Sequence, residues 1–269
     1  MKNSLTVAAI QMVSVLDWQK NLDTAQNLIQ QAAEKGAELV VLPEFFIRIA
    51  NTQDTEFANI TETLGIGKIQ SQLALIAKTN HIYLVAGTIP IKCPTGGKCY
   101  NTTLVYNPDG LLICHYHKIH LFKFQDHKYH FDESLTFQSG SDVVTFTING
   151  FCFGLTICYD LRFPELFRRM AGVDAIILPA AFVHHTGQAH WEILLRARAI
   201  ENQCYVIASG QGGMHENGRH TFGHSMIVDP WGTIKAVLAD GEGVILSKME
   251  KREIEQIRKR LPALEHRSL

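Results

Sequence analysis

Cys158 stands where an apolar run, FCFGLTIC (151–158), gives way to Tyr159-Asp160. The run predicts a strand, and a helix is predicted to begin near Phe163, with Pro164 and Glu165 suited to its first turn. A cysteine at such a junction is placed for nucleophilic catalysis. Backbone N–H groups there favour a thiolate and can receive an oxyanion. The competing reading is packing, since cysteine is often a small buried hydrophobe. Cys152 and Cys204 lie inside strand patterns and take that role.

A nucleophilic thiol needs a group to accept its proton, and help for the charge that grows on the attacked carbonyl oxygen. Two solutions stay open from the residues alone. His184-His185 follow the strand-like IILPAAF (176–182) and offer imidazoles. The other solution joins a carboxylate to an amine. Glu44 lies just past the hydrophobic run of AELVVLPEFF (37–46), and Lys118 lies among the polar residues of the strand-like HYHKIHLF (115–122). An exposed turn residue and a surface lysine are the plain alternatives for these two.

Other chemistries find less support. Alternation would put His115 and His117 on one strand face with His120 nearby, but there is no HExxH motif and no CxxC pair. No metal site is expected. GxGxxG and GxxxxGK[ST] are absent too, so no nucleotide or other cofactor is expected.

The elements that must position these residues come in two similar sets. AELVVLPEFF (37–46) is answered by VDAIILPAAF (173–182), YLVAG (83–87) by YVIAS (205–209), and LVYNPDG (104–110) by MIVDPWG (226–232). Asn-Pro-Asp-Gly and Asp-Pro-Trp-Gly both read as tight turns. Strands alternate with helical patterns, which indicates an α/β fold. First-half strands are expected at Leu5–Ile10, Leu39–Leu42, Ile82–Ala86 and Thr103–Tyr106. A helix from Trp18 to Lys35 is capped by Asp17, striped by Leu22, Ala25, Leu28, Ile29 and Ala32, and ended by Gly36. VVTFTINGFCFGLTICYD (143–160) predicts a hairpin turning at Asn149-Gly150. Two similar sheets, each covered by helices on one face, give a four-layer α–β–β–α sandwich. At the aligned LP positions Glu44 faces Ala180, so structure alone does not demand an acid there.

With 269 residues the chain can bury roughly three quarters of its unfolded surface, and no linker interrupts it. Residues 1–269 are read as a single domain. The net charge of -1 offers no basic face for nucleic acid or an acidic membrane. MKNSLTVAAIQMV reads as a first strand, not a signal peptide, and no run approaches a membrane span. A cytoplasmic protein with reduced cysteines is expected, although Cys93 and Cys99 bracket a turn and could touch.

Three separated motifs, LVVLPEFF (39–46), YHKIHLF (116–122) and LTICYDLRFPEL (155–166), resemble those of the nitrilase, or carbon–nitrogen hydrolase, superfamily across nearly the whole chain. The resemblance implies a nitrilase-type α–β–β–α sandwich and a homodimer or larger assembly. It implies Cys158 as nucleophile, Glu44 as general base, and Lys118 with the Tyr159 N–H as oxyanion support. Glu133, in FDESLTFQSG (131–140), fits the superfamily's second glutamate, which orients the lysine and the substrate. Asp160, Arg162 and Glu165 would brace the turn, and His184 and His185 become pocket-lining residues. The loop 124–132 departs from the usual form and is expected to border the pocket.

Within the superfamily, residues 186–213, 221–233 and 258–267 resemble the deaminated glutathione amidases. This likeness implies a small-molecule amide substrate, hydrolysed to α-ketoglutarate and cysteinylglycine. An omega-amidase acting on α-ketoglutaramate is the nearest alternative, and a true nitrilase a further one. A catalytically inactive scaffold would have no use for Glu44, Lys118 and Cys158 together. Arg196 and Arg198 in RARAIE are expected to pair with nearby acids, and the amphipathic segment 248–261 to dock on the sandwich or a partner subunit.

Overall fold

Asn149 and Gly150 take left-handed angles, φ 50° and 91°, as a two-residue type I′ hairpin turn requires. Ile148 pairs with Phe151 across that turn. A computed structural model describes residues 2–50, 55–125 and 130–268.

The first-half strands are β1 (Ser4–Gln11), β2 (Leu39–Val41), β3 (Tyr83–Val85), β4 (Ile89–Lys92), β5 (Cys99–Tyr106) and β6 (Leu112–His117). A ribbon of β7 (Lys123–Gln125) and β8 (His130–Asp132) follows. Next come β9 (Thr145–Ile148), β10 (Phe151–Leu155), β11 (Ala175–Ala180) and β12 (Tyr205–Gly210). A second ribbon, β13 (Gly212–Met214) with β14 (His220–Phe222), precedes β15 (Ser225–Val228), β16 (Ile234–Leu238) and β17 (Gly243–Glu250). The helices are α1 (Trp18–Glu34), α2 (Lys68–Thr79), α3 (Pro164–Arg169), α4 (His184–Asn202) and α5 (Lys251–Arg260).

One sheet has the order β17-β1-β2-β3-β5-β4, with β6 also on β5, and the other β16-β15-β12-β11-β10-β9. Both contain three parallel strands followed by an antiparallel one: β1, β2, β3, β5 and β10, β11, β12, β15. The matched phrases fall on β2 and β11, β3 and β12, β5 and β15, so the sequence repeat is a repeat of topology.

Strand alternation builds the layers. Leu5, Val7 and Ala9 of β1 join a core with Phe153, Leu155, Ile177 and Ile207 of the other sheet. Ala8 and Ile10 point the opposite way, onto Leu22, Ala25 and Ile29 of α1 and Leu73 of α2. Trp191, Leu195 and Ala199 of α4, with Leu166 and Phe167 of α3, cover the outer face of the second sheet. This is the expected α–β–β–α sandwich. Burial of each large apolar side chain contributes ~1.5–3 kcal/mol to holding the sheets in place. Asp17 caps α1 by accepting from the Gln19 N–H, and Gly36 ends it with φ 87°.

Some expectations shift. α3 spans only Pro164–Arg169, and Cys158 opens a separate 3-10 turn, Cys158–Arg162. The helix start near Phe163 is as expected, and the N–H groups nearest the sulfur belong to the 3-10 turn that precedes it. In the amphipathic segment 248–261, Ile254 of α5 is buried, while Leu261 beyond the helix is exposed. Cys93 and Cys99 are both free thiols. Among the described residues no helix is long and apolar enough to cross a membrane, and no group of three His, Cys, Asp or Glu could hold a metal.

Candidate active site

The site lies at the carboxyl ends of the central parallel strands, where the two sheets meet. Such crevices are the usual ligand sites of parallel sheets.

Glu44 follows β2 in a turn that the surroundings tightly determine. The Phe45 N–H donates to Thr88 Oγ1 at 2.9 Å, and Gln211 Nε2 donates to the Glu44 carbonyl at 3.1 Å. Gly87 is obligatory beside it: a Cβ there would sit 2.1 Å from the Pro43 carbonyl oxygen, and its φ is 49°. Phe45 and Cys158, with φ 54° and 46°, are left-handed non-glycine residues flanking the site. Their backbone strain persists because packing and hydrogen bonds hold both turns.

Lys118 comes directly after β6, not within it. Its N–H donates to the Asn101 carbonyl at 2.9 Å, and its carbonyl accepts from the Gly140 N–H at 2.8 Å. Glu133 opens the 3-10 turn Glu133–Leu135 after β8. Its Oε2 accepts from the Phe122 N–H at 2.8 Å.

Three of the four predicted residues form one hydrogen-bonded chain. Lys118 Nζ donates to Glu44 Oε1 at 2.7 Å and to Glu133 Oε1 and Oε2 at 3.0 and 2.8 Å. Lys118 is 0% exposed, Glu44 1% and Glu133 3%, so this is a buried triad with one excess negative charge. Glu44 Oε1 also accepts from Asn101 Nδ2 at 2.9 Å, and Oε2 from the Ala181 N–H at 2.9 Å. The same Ala181 N–H reaches the sulfur of Cys158, the fourth residue.

These neighbours set the protonation states. Burial and the Glu44 carboxylate push the Cys158 thiol well above its usual range, against the pull of Lys118. Burial penalises the Lys118 ammonium, yet the Glu133 and Glu44 carboxylates outweigh it and hold the amine charged. Burial raises the Glu133 carboxyl, with Lys118 opposing. The resting sulfur is thus a thiol. Passing its proton to Glu44 relocates the site's negative charge without adding to it.

A pocket lined by Phe122, Cys158, Tyr159, Arg162, Phe182 and Thr186 opens on the sulfur. Asp160 braces this turn: its Oδ2 accepts from the Ile157 N–H at 2.9 Å and from the Tyr116 hydroxyl at 2.7 Å. Its Oδ1 accepts from the His120 N–H at 3.0 Å. Arg162 lies over the Phe182 ring and lines the pocket, while Glu165 is exposed on α3. His184 and His185 line a neighbouring pocket. Residues 126–129 of the loop expected to border the pocket lie outside the described residues.

Arg198 pairs with Glu201 at 2.8 Å as expected, and also donates from Nε and Nη2 to the Leu161 carbonyl at 3.0 and 2.8 Å. It therefore fastens α4 to the Cys158 turn. Arg196 pairs with Glu192 at 3.1 Å. Sequence reasoning missed Asn101, Ala181 and Gln211. Asn101 lies just ahead of the strand expected at Thr103–Tyr106, in the part of β5 that the apolar pattern did not mark. Ala181 acts through its backbone, which has no residue-type signature.

His215 belongs to the framework behind Glu44. Its Nδ1 donates to the Ser14 carbonyl at 2.9 Å, and its Nε2 accepts from Thr221 Oγ1 at 2.8 Å. Burial holds its pKa down to about 4, and burial does the same to His117. The unfolded chain therefore binds more protons than the native one between roughly pH 6.5 and 4. Stability is full above the unfolded value and is lost as pH falls through that window. Urea melts from pH 8 to 4 should show this decline, and His215→Gln should flatten it. An unchanged slope in that variant would show that His215 does not contribute.

The family model for carbon–nitrogen hydrolases matches residues 6–259. The chain belongs to this family, and the enzyme is an amidase of the carbon–nitrogen hydrolase type. A deaminated glutathione amidase of Synechocystis sp. is 38% identical over 271 residues, covering 97% of each chain. Omega-amidase NIT2 of Mus musculus is 38% identical over 250 residues, 92% of this chain and 89% of the relative. The crystal structure of Saccharomyces cerevisiae Nit3, a member of branch 10 of the nitrilase superfamily, superposes with a TM-score of 0.89. Its identity is 34%, covering 100% of this chain and 98% of that one.

Proposed function

We propose that the enzyme hydrolyses the amide bond of deaminated glutathione, giving α-ketoglutarate and cysteinylglycine, through a thioester on Cys158. One observation carries the chemistry: a thiol at a pocket floor shares an N–H donor with the carboxylate of a buried Glu44–Lys118–Glu133 chain. Cys158 attacks the amide carbonyl while Glu44 accepts its proton. Lys118 and the Tyr159 N–H stabilise the oxyanion, and Glu133 keeps the amine aimed. The tetrahedral adduct expels the amine, which takes the proton from Glu44. Glu44 then activates water, the thioester is cleaved, and the proton returns to the sulfur.

The substrate assignment is supported by the 38% identity to a deaminated glutathione amidase over nearly both full chains. The equal identity to an omega-amidase supports a second reading, in which α-ketoglutaramate is cleaved and ammonia leaves. Mass-spectrometric assay of both substrates in parallel decides between them. Cysteinylglycine should appear at a kcat/KM at least about 10-fold above that for ammonia release, the ~1.4 kcal/mol expected from leaving-group contacts. The reverse order would move the substrate to the small amide, and no turnover of either would overturn the reading.

The reading further takes residues 1–269 as one domain, cytoplasmic and metal- and cofactor-free, without nucleic-acid or membrane partners. The core shared by both sheets supports the single domain, and the free buried thiols suit a reducing compartment. Exposed Ile193, Ile200 and Trp231 support a homodimer or larger assembly.

A further inference from the structure

Beside the Cys158 pocket lies a second cleft of about 220 Å³, and Val183 lines both. Its other lining side chains include Arg219, His184, His185, His220 and Asn217, and among the described residues none is acidic. Arg219 is held in place from its backbone. Its N–H donates to Asn217 Oδ1 at 3.1 Å, and its carbonyl accepts from the His215 N–H at 2.8 Å. The guanidinium lies 5.3 Å from the Phe131 ring centroid and donates from Nη1 to the Ala50 carbonyl at 3.4 Å. Among the described residues it forms no ion pair.

We infer that Arg219 grips the carboxylate on the acyl half of the substrate, the group that lies two methylenes and a ketone beyond the scissile carbonyl. The inference rests on the proposed function, whose two candidate substrates share this acyl group. A partly buried guanidinium facing a cleft whose described lining holds no acid presents a planar fork of donors to a carboxylate. It also shares the electrostatic field of Glu44 and Glu133, which oppose the effect of its burial. That proximity suits the shorter acyl arm better than the distant glycine carboxylate of the leaving peptide. Anchoring the far carboxylate would hold the amide carbon over the sulfur, so the residue acts on specificity and positioning.

The test compares the native enzyme with Arg219→Gln and Arg219→Lys, first for folding by circular dichroism and then for kinetics and binding. Arg219→Gln should raise KM for deaminated glutathione about 100-fold with kcat changed only a few-fold, and Arg219→Lys should recover part of the loss. With the acyl-side carboxylate converted to its methyl ester, native enzyme and Arg219→Gln should perform alike. Equal losses on the acid and the ester, or an unmoved KM, would overturn the inference. Calorimetric binding of α-ketoglutarate gives a readout that needs no turnover. Its affinity should fall about 100-fold in Arg219→Gln, and an unchanged affinity also overturns the assignment. A native enzyme inert toward deaminated glutathione, yet binding α-ketoglutarate through Arg219, would overturn the substrate reading and leave the subsite standing.

Discussion

Replacing Cys158 by alanine lowers turnover by at least about 10⁴-fold and leaves the fold intact, because no other group can form the thioester. Among the described residues, no other free thiol hydrogen-bonds Glu44, Lys118 or Glu133. Cys152 and Cys204 lie on the second sheet and at the end of α4, away from the buried carboxylate and amine. Serine at this position should fare little better than alanine, since a hydroxyl yields its proton far less readily than a thiol. The stability cost is small for a different reason. Alanine removes one sulfur atom and keeps the same left-handed backbone, whose strain the native residue already carries at φ 46°. It also removes a buried thiol that two carboxylates disfavour as a thiolate. Intact-protein mass spectrometry should show an acyl adduct on native enzyme and none on the variant. Turnover above about 1% in Cys158→Ala, with contaminating native enzyme excluded, would end the nucleophile assignment.

Much of this arrangement was legible because repeated local patterns were tied to burial. β2 and β11 announced themselves as matched apolar runs, and the single mismatch between Glu44 and Ala180 marked the acid that structure did not require. The copies then prove to meet: the residue after Ala180 donates its N–H to Glu44. The Asn149-Gly150 turn was equally plain, since few dipeptides accept two positive φ angles. Glu133 had no such signal in its own residues and emerged only through the resemblance. Its role depends on a contact with Lys118 that the ribbon β7–β8 creates. Pro164 and Glu165 marked the start of α3 because both suit a first turn, whereas the 3-10 turn Cys158–Arg162 ahead of it has no such residue signature. Arg198 shows the same limit: its i,i+3 pairing with Glu201 was readable, whereas its hold on the Leu161 carbonyl is a tertiary fact. Arg219 had no local pattern at all. Its meaning comes from a cleft assembled by β8, α4 and the β13–β14 turn.

Lys118→Met should be the most destabilising substitution at the site, costing about 3–5 kcal/mol at neutral pH, as when one partner of a buried ion pair is removed. For a chain of this size that corresponds to a fall of roughly 10 °C in the melting midpoint. Methionine fills much of the volume, so the loss is electrostatic: Glu44 and Glu133, both buried, face each other without the cation between them. The pH dependence identifies the cause. Burial already raises the Glu133 carboxyl, and deleting the lysine removes the main influence that lowers it. A carboxyl whose native pKa lies above its unfolded value binds more protons in the native state, so stability falls as pH rises through that interval. Lys118→Met should therefore gain stability from pH 8 toward pH 5.5 relative to the native enzyme. The buried neutral histidines drive the native enzyme the other way near the acidic end. The double variant Lys118→Met/Glu133→Gln removes one charge of each sign and should recover most of the lost stability at pH 8. Activity should stay at least about 10³-fold down, because a recovered charge balance does not restore the oxyanion's cation. If the double variant melts as low as the single one, packing and not charge holds this site together. If it regains activity, Lys118 serves the fold and some other donor serves the oxyanion.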